Sequence, residues 1–238
     1  MPLALESRRV GDITVVKCSG RIVEGTESAA LQQQLNALFP REPYIVLHLS
    51  EVQFIDSSSL GLLTRLLARA RNANGSLKLC AVSPKIDEVL RVTKLRTVFD
   101  SYESEAAAIA SFYERAKAPD APYRFDTDIL CVETSADVLA YVRELLGQAG
   151  YGVMTAGNLP DALTLLRATQ PKLVVIGADL RSSRATESAE RFNRLVDALP
   201  VVKLPADFSR HEAGEAGQQL LDQVRTTMNA GGTPFQVQ

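Results

Sequence analysis

The sequence is short of the residues on which most catalytic and metal sites depend. It has no tryptophan, two histidines and three cysteines in 238 residues. Nucleophilic catalysis needs a base beside the attacking group, but His48 is interpreted as a core histidine in a buried strand and His211 as a solvated loop residue. No Cys or His pair has the spacing of metal ligands. The residues therefore point to no enzyme and to no metal or other cofactor.

The cysteines also limit the redox chemistry. Cys18, Cys80 and Cys131 are odd in number, far apart in sequence and each embedded in an apolar run. This pattern is typical of buried free thiols in a reducing compartment. The first residues contain no basic stretch followed by an apolar core, so no secretory signal is predicted and we expect a cytoplasmic protein.

Strong charge and long apolar runs are missing as well. The formal net charge is −2 and lysines and arginines are scattered, which disfavours nucleic-acid binding. The longest apolar runs, such as residues 44–47 and 173–176, fall far short of the ~20 residues that span a bilayer. The closely spaced Gly147, Gly150 and Gly152 follow a predicted helix instead of a strand, so they form no nucleotide-binding fingerprint.

The length of the chain and its alternating strand-like and helix-like segments predict two α/β domains. Residues 118–124 contain two prolines among small residues, as exposed linkers do. We therefore place one domain at 1–117, the linker at 118–124, a second domain at 125–229 and a flexible tail at 230–238.

Strand-like and helix-like segments alternate through the first domain. A Gly11-Asp12 turn predicts an opening hairpin, and Asn74-Gly75 predicts the end of a helix that begins near residue 57. The remaining predicted elements are a helix at 26–38, a strand covered on both faces at 44–49, a strand at 77–82, a helix at 84–92, a short strand at 98–99 and a helix at 104–116.

The second domain repeats the alternation. The predicted strands are 129–132, 153–156, 173–176 and 201–204, and the predicted helices are 136–149, 160–168, 189–199 and 217–228.

One segment of the first domain resembles a family signature. The segment reads Phe54-Ile55-Asp56-Ser57-Ser58-Ser59-Leu60-Gly61-Leu62-Leu63. It resembles the strand-to-helix turn of STAS domains in bacterial anti-sigma-factor antagonists, and the resemblance extends over about residues 3–116. Ser59 stands where the family usually has glycine, and it adds a side chain close to the expected kinase contact.

The resemblance implies a partner-switching mechanism. The unmodified domain would bind a serine-kinase anti-sigma factor and would be inactivated when that kinase phosphorylates Ser57; a PP2C-type phosphatase would be a further partner. The implied partner-binding residues are Asp56, Ser57, Ser58, Ser59, Leu60 and Gly61.

The same residues have a plainer interpretation. Asp56, Ser57 and Ser58 are all good helix N-caps, and any strand-to-helix turn could use them in that way. Of the two candidate serines, Ser58 is the better cap and Ser57 the better phosphate acceptor, since a serine in the first turn presents its hydroxyl at the surface. Modification of Ser57 distinguishes a switch from an unmodified scaffold.

Residues 128–228 resemble a response-regulator receiver domain in the order of their first strands and helices. A receiver needs clustered carboxylates at strand ends to hold Mg²⁺ and an aspartate that takes the phosphoryl group. Here the acidic pair reads Glu133-Thr134, the acceptor position is Gly177, and Asp179 lies two residues further on. The register of Lys203 is ambiguous. We therefore expect a degenerate, flavodoxin-like parallel domain that lacks one strand-helix unit.

Taken together, the sequence predicts a STAS fold, with a mixed sheet and helices, followed by this receiver-like domain. The favoured function is that of an anti-sigma-factor antagonist whose second domain docks a partner or forms a homodimer through the helices flanking residues 201–204. The alternative is a non-switching STAS scaffold of a stress-signalling or lipid-transport complex.

Overall fold

The computed structural model describes residues 1–117, 125, 127–181, 187–205, 208 and 213–230. The chain divides into two compact units, Met1–Arg124 and Phe125–Gln238. The predicted linker at 118–124, His211 and residues 231–238 of the predicted tail lie outside the described residues, and the last described helix runs to Ala230.

The first unit contains a five-stranded mixed sheet in the order β1-β2-β3-β4-β5. Strands β1 and β2 are antiparallel, and every later pair is parallel. The mixed α/β architecture predicted for this half is confirmed. The strands are β1 (Ala4–Val10), β2 (Ile13–Ile22), β3 (Tyr44–Ile55), β4 (Ser76–Cys80) and β5 (Ser101–Tyr102), and the helices are α1 (Thr26–Leu38), α2 (Ser57–Asn72), α3 (Pro84–Val92) and α4 (Glu105–Ala116).

Local sequence signals explain several of these boundaries. Gly11 has a φ of 61°, the left-handed conformation that a tight hairpin turn requires, and the predicted hairpin forms there. Helix α2 ends before Asn74, which has a φ of 55°, as the Asn74-Gly75 signal predicts. Strand β4 stops two residues earlier than predicted, because Ala81 has a φ of 50° and leaves the extended conformation.

Strand β3 is longer than the predicted strand at 44–49. Its second half pairs with β2 across two register shifts, with Arg21 opposite Phe54 and Ile22 opposite Ile55. The exposed pair Ser50 and Glu51 hid this continuation in the sequence. The long strand carries the chain directly to the turn at Asp56.

The two faces of this sheet differ. Helices α1, α2 and α3 cover one face, where Leu31, Leu63 and Ile86 pack on Ile45 and Leu47 in one hydrophobic core. Helix α4 covers part of the other face. The prediction that His48 lies in the core is wrong. The His48 side chain is half-buried on that second face, and its Nδ1 lies 3.2 Å from Ser50 Oγ. It lines a polar groove of about 470 Å³.

One charged side chain is buried under α4. Lys78 on β4 is 2% exposed, and its Nζ donates to Ser111 Oγ over 2.7 Å. The same Nζ lies 4.1 Å from the centre of the Phe112 ring. Burial lowers the pKa of Lys78 from 10.5 to about 8.

The prediction of a short strand at 98–99 is wrong. A 3-10 helix occupies Leu95–Thr97, and Phe99 is buried as a core anchor instead of pairing in the sheet. The backbone joins β4 only one residue later, where Leu79 N donates to Asp100 O over 2.9 Å. Strand β5 therefore begins at Ser101.

The second unit contains a four-stranded, fully parallel sheet in the order β7-β6-β8-β9 among the described residues. This is the parallel α/β architecture predicted for the second half. The strands are β6 (Ile129–Val132), β7 (Val153–Ala156), β8 (Leu173–Ile176) and β9 (Val201–Lys203), and the helices are α5 (Ala136–Gln148), α6 (Leu159–Thr169), α7 (Glu187–Val196) and α8 (Ala213–Ala230).

Helices pack on both faces of this second sheet. Val142 of α5 and Val224 of α8 pack in one core with Ile129 of β6. Helix α6 contacts β6, β7 and α7, and its buried residues form a separate apolar layer. The continuous burial of β6, β7 and β8 is what strands covered on both faces require, whereas the edge strand β9 ends at the exposed Lys203. Among the described residues of the chain, no helix is long and apolar enough to cross a membrane.

Candidate functional site

The turn between β3 and α2 is organised by the carboxylate of Asp56. Asp56 is the N-cap residue of α2, and its Oδ1 accepts a hydrogen bond from Ser59 N over 2.8 Å. Its Oδ2 accepts a second one from Glu24 N, 2.7 Å away in the loop between β2 and α1. One side chain therefore satisfies a free N–H group of the helix and ties the neighbouring loop to the same turn.

These hydrogen bonds keep Asp56 ionised. Burial alone would raise the pKa of this carboxyl, but the N–H groups of Glu24 and Ser59 favour the charged form and hold the pKa below its ordinary value of 3.8. The turn therefore carries a fixed negative charge directly before Ser57.

The three consecutive serines of this turn have three different environments. Ser57 is the first residue of α2, its side chain is exposed, and its hydroxyl makes no hydrogen bond within the described part of the chain. Ser58 is also exposed, but its Oγ donates to Glu24 Oε2 over 2.9 Å. Ser59 is fully buried. Of these three serines, only Ser57 has an exposed hydroxyl without a hydrogen-bond partner among the described residues.

This geometry corrects two sequence-based interpretations. The N-cap is Asp56, so the preference for Ser58 as the cap is wrong. The side chain of Ser59 points into the protein, so it adds nothing to the surface next to Ser57. Leu60 is 5% exposed and Gly61 is half-buried. The assignment of these six residues to partner binding stays a prediction, and Ser59 and Leu60 would serve it only by shaping the helix.

Sequence reasoning gave no role to two residues at or close to this turn, Glu24 and Phe54. Glu24 makes both contacts that join the β2-α1 loop to this turn, but it lies more than 30 positions away in the sequence. Phe54 is a large apolar side chain that is 39% exposed, and the guanidinium of Arg21 lies 5.3 Å from the centre of its ring. The register of β2 and β3 brings this pair together, and no short motif indicates it.

The receiver-like positions of the second unit lie at the carboxyl ends of its strands. Glu133 follows β6 and Gly177 follows β8, and the two strand ends are adjacent because Gly177 N donates to Val132 O over 2.9 Å. Lys203 is the exposed last residue of β9, the neighbouring strand. The side chain of Asp179 lies outside the described residues. Among those described, no group of three or more potential ligands could hold a metal ion.

Comparison with known proteins gives a family for the first unit. Residues 4–108 match the family model of the STAS domain. The STAS unit includes the β3-α2 turn. The chain is 27% identical over 110 residues to a protein named anti-sigma F factor antagonist from Paenibacillus polymyxa, which covers 46% of this chain and 94% of the relative.

Solved structures similar to the STAS unit include an anti-sigma-factor antagonist (STAS) domain protein from Planctomyces limnophilus. It is 27% identical, covers 45% of this chain and 96% of its own, and has a TM-score of 0.41. An anti-sigma factor antagonist from Mycobacterium paratuberculosis is 24% identical, covers 46% of this chain and 92% of its own, and also has a TM-score of 0.41. Each of these matches covers less than half of this chain.

Proposed function

We propose that the STAS unit is an anti-sigma-factor antagonist that binds a serine-kinase anti-sigma factor and is switched off when that kinase phosphorylates Ser57. The observation that supports this most is the contrast among the three serines. The Ser57 hydroxyl is exposed and uncommitted, whereas Ser58 is hydrogen-bonded to Glu24 and Ser59 is buried. A kinase can reach and align the Ser57 hydroxyl without breaking an existing contact.

The electrostatics of the turn favour a change in binding over a change in folding. A phosphoserine carries about 1.5 to 2 negative charges near neutral pH. The N-terminus of α2 partly offsets this charge, because the free N–H groups of the first turn form the positive end of the helix dipole. Asp56 and Glu24 oppose it. The phosphate would therefore add negative charge close to the carboxylates of Asp56 and Glu24 and repel a partner that fits the unmodified form.

The proposed contact surface consists of Ser57, Ser58 and Gly61 on α2 and the exposed ring of Phe54, which lies three residues before Ser57 in the chain. Aromatic side chains often contribute the largest share of binding energy in protein interfaces. Arg21 lies against one side of the Phe54 ring and thereby restricts its movement. Ser59 and Leu60, which are buried, would hold the first turn of α2 in place.

The names of the relatives support the class of partner. The Paenibacillus polymyxa relative is named as an anti-sigma F factor antagonist, and its similarity extends across nearly its whole length. This similarity supports our proposal of a role in a bacterial partner-switching pathway, in which a PP2C-type phosphatase would restore the unmodified form.

The test begins with affinity capture of the full chain in its native cell and identification of the bound proteins by mass spectrometry. The captured kinase is then incubated with ATP and the full chain, and the phosphorylated residue is mapped. We expect one phosphate, on Ser57. Ser57→Ala should abolish incorporation, while the matched variant Ser58→Ala should be phosphorylated normally.

Two outcomes would oppose the proposal. Phosphate on Ser58 or Ser59 alone would place the switch at the wrong residue. Capture of transporter or stress-complex subunits with no phosphorylation would favour the non-switching scaffold.

For the second unit we propose a docking role, either for a partner or for a second copy. The supporting observation is Leu195 on α7, a large apolar side chain that is 40% exposed. Light scattering on the full chain and on Leu195→Lys at micromolar concentration tests self-association. A dimer that the substitution dissociates supports pairing through this helix, and a monomer in both samples leaves docking of another protein.

A further inference from the structure

The strand order of the second sheet creates a crevice at the carboxyl ends of two adjacent strands. Strands β6 and β8 are adjacent, and the chain leaves β6 toward β7 but leaves β8 toward β9, so the connections after these two strands run in opposite directions along the sheet. Open parallel sheets hold their ligands at such a point, outside the carboxyl ends of the strands. Here the crevice lies between Glu133, at the end of β6, and Gly177, at the end of β8.

The side chain of Glu133 occupies this crevice. A β-carbon placed on Gly177 would overlap Glu133 Oε2 and would lie 2.7 Å from its Cδ. The other carboxylate oxygen, Oε1, accepts hydrogen bonds of 3.0 Å from Ser135 N and from Thr134 Oγ1. The carboxylate therefore covers the bare backbone of β8 and is held by the residues that begin α5.

A side chain at residue 177 would conflict with the present position of the Glu133 carboxylate but not with the backbone conformation. The φ of Gly177 lies outside the left-handed range in which glycine is favoured, so an alanine would meet no backbone strain there. Gly157 provides a comparison at the end of β7. A β-carbon at Gly157 would have no neighbour within 4 Å. These two glycines follow the strands on either side of β6, and only the one at 177 has the Glu133 carboxylate against it.

We propose that the Glu133 side chain fills this crevice in place of a ligand. Its carboxylate covers the carboxyl end of β8 and fixes the start of α5. The carboxylate comes from β6, and the absence of a side chain at Gly177 is the condition for its position. Any side chain at residue 177 would push the carboxylate out and free the Ser135 N–H group. This inference concerns the second unit and does not depend on phosphorylation of Ser57.

The test compares four variants of the full chain with the unaltered protein: Glu133→Ala, Gly177→Ala, the double variant, and the control Gly157→Ala. Amide hydrogen exchange at Ser135 and the unfolding constant of the second unit, followed by NMR in urea, are measured for each. Glu133→Ala and Gly177→Ala should each speed exchange at Ser135 about threefold to tenfold, since both remove the same acceptor. Gly157→Ala should leave it unchanged.

The double variant gives the decisive comparison. Because both single changes remove one interaction, the double variant should resemble the more severe single one, so that the effects are not additive. Independent, additive effects on the unfolding constant would overturn the proposal. Unchanged exchange at Ser135 in Glu133→Ala would also overturn it, and this readout does not require Gly177→Ala to fold.

Discussion

The two units differ at the carboxyl end of one inner strand each. In the STAS unit the central strand β3 ends in a turn whose carboxylate, Asp56, lies beneath an exposed hydroxyl at Ser57. In the second unit β8 ends at a bare Gly177, and a carboxylate from the neighbouring strand fills the space above it. One strand end leads to an exposed hydroxyl, and the other is covered by a side chain of the protein itself.

The difference shows that a carboxylate near a helix N-terminus does not define a function. Asp56 and Glu133 both accept hydrogen bonds from backbone N–H groups next to a helix start. What differs is the residue beside them, which is an uncommitted serine in one unit and no side chain in the other. Function must therefore be argued from the site, because the fold alone supports both outcomes.

The largest effect on stability should come from removing the carboxylate of Asp56, and removing that of Glu133 should cost about half as much. Asp56 accepts from two backbone N–H groups, so Asp56→Ala should lower the unfolding free energy of the STAS unit by about 2 kcal/mol. Glu133 accepts from one, so Glu133→Ala should cost the second unit about 1 kcal/mol. Urea unfolding of the full chain, with NMR signals assigned to each unit, measures both values.

The stability that Asp56 contributes should depend on pH in a direction set by its lowered pKa. The folded-state pKa of Asp56 is lowered, so its stabilisation is complete above the pKa of the unfolded state and is lost as the pH falls through the folded pKa. The difference between the unaltered protein and Asp56→Ala should therefore shrink in acid. A difference that grows toward low pH, or a larger cost for Glu133→Ala, would contradict this account of the two turns.

A smaller effect should come from the buried amine that the first sheet contains. Lys78→Met should raise the unfolding free energy at pH 7 by roughly 1 to 2 kcal/mol. The lowered pKa of Lys78 alone corresponds to a larger gain. Solvent screening and the loss of the contacts to Ser111 and Phe112 reduce it. Below about pH 8 the lysine is charged in both states, and burial then destabilises the folded state most.

The pH profile tests the cause. Between about pH 8 and 10.5 the unfolded chain keeps a proton that the folded chain has lost, so the unaltered protein should gain stability as the pH rises. Above that range the advantage of Lys78→Met should disappear. The exposed Lys85 serves as the control, and Lys85→Met should change neither the value nor its slope. A constant advantage at all pH values would mean that packing, and not charge, is responsible.

The smallest effect separates the two exposed serines. Ser58→Ala removes the hydrogen bond to Glu24 and should cost about 0.5 kcal/mol, because both groups are exposed. Ser57→Ala removes no hydrogen bond and should leave the unfolding free energy unchanged. The same urea titration compares them. A larger cost for Ser57→Ala would identify Ser57 as a structural residue and would weaken its assignment as the phosphate acceptor.

Much of the architecture was predictable because local signals agreed with it. The hairpin at Gly11, the helix stop at Asn74 and the buried run of β8 each follow from one short segment. The errors arose where pairing with a distant strand decided the outcome. Strand β3 continues through the polar Ser50 and Glu51 because β2 pairs with it, and the segment around Phe99 is set by core burial.

The candidate site was predictable only in part, for the same reason. The motif indicated Asp56 and favoured Ser57 as the phosphate acceptor, but it misjudged Ser58 as the cap and Ser59 as a surface residue, since capping, partners and burial are set in three dimensions. Glu24 joins the turn through contacts across more than 30 positions, and no local pattern encodes them. Likewise, the Glu133-Thr134 pair and Gly177 were noted as departures from a receiver, but their mutual fit is visible only in three dimensions.

The most direct test of the central claim is the affinity of the captured kinase for the full chain before and after phosphorylation. Isothermal titration with the unmodified protein, the protein phosphorylated by that kinase, and Ser57→Ala should show binding weakened at least about tenfold by the phosphate, since like charges in an interface cost more than 1.4 kcal/mol. Ser57→Ala should bind like the unmodified protein before and after incubation with ATP. Equal affinity of the phosphorylated and unmodified proteins, or loss of binding in Ser57→Ala after incubation with ATP, would contradict a switch at Ser57.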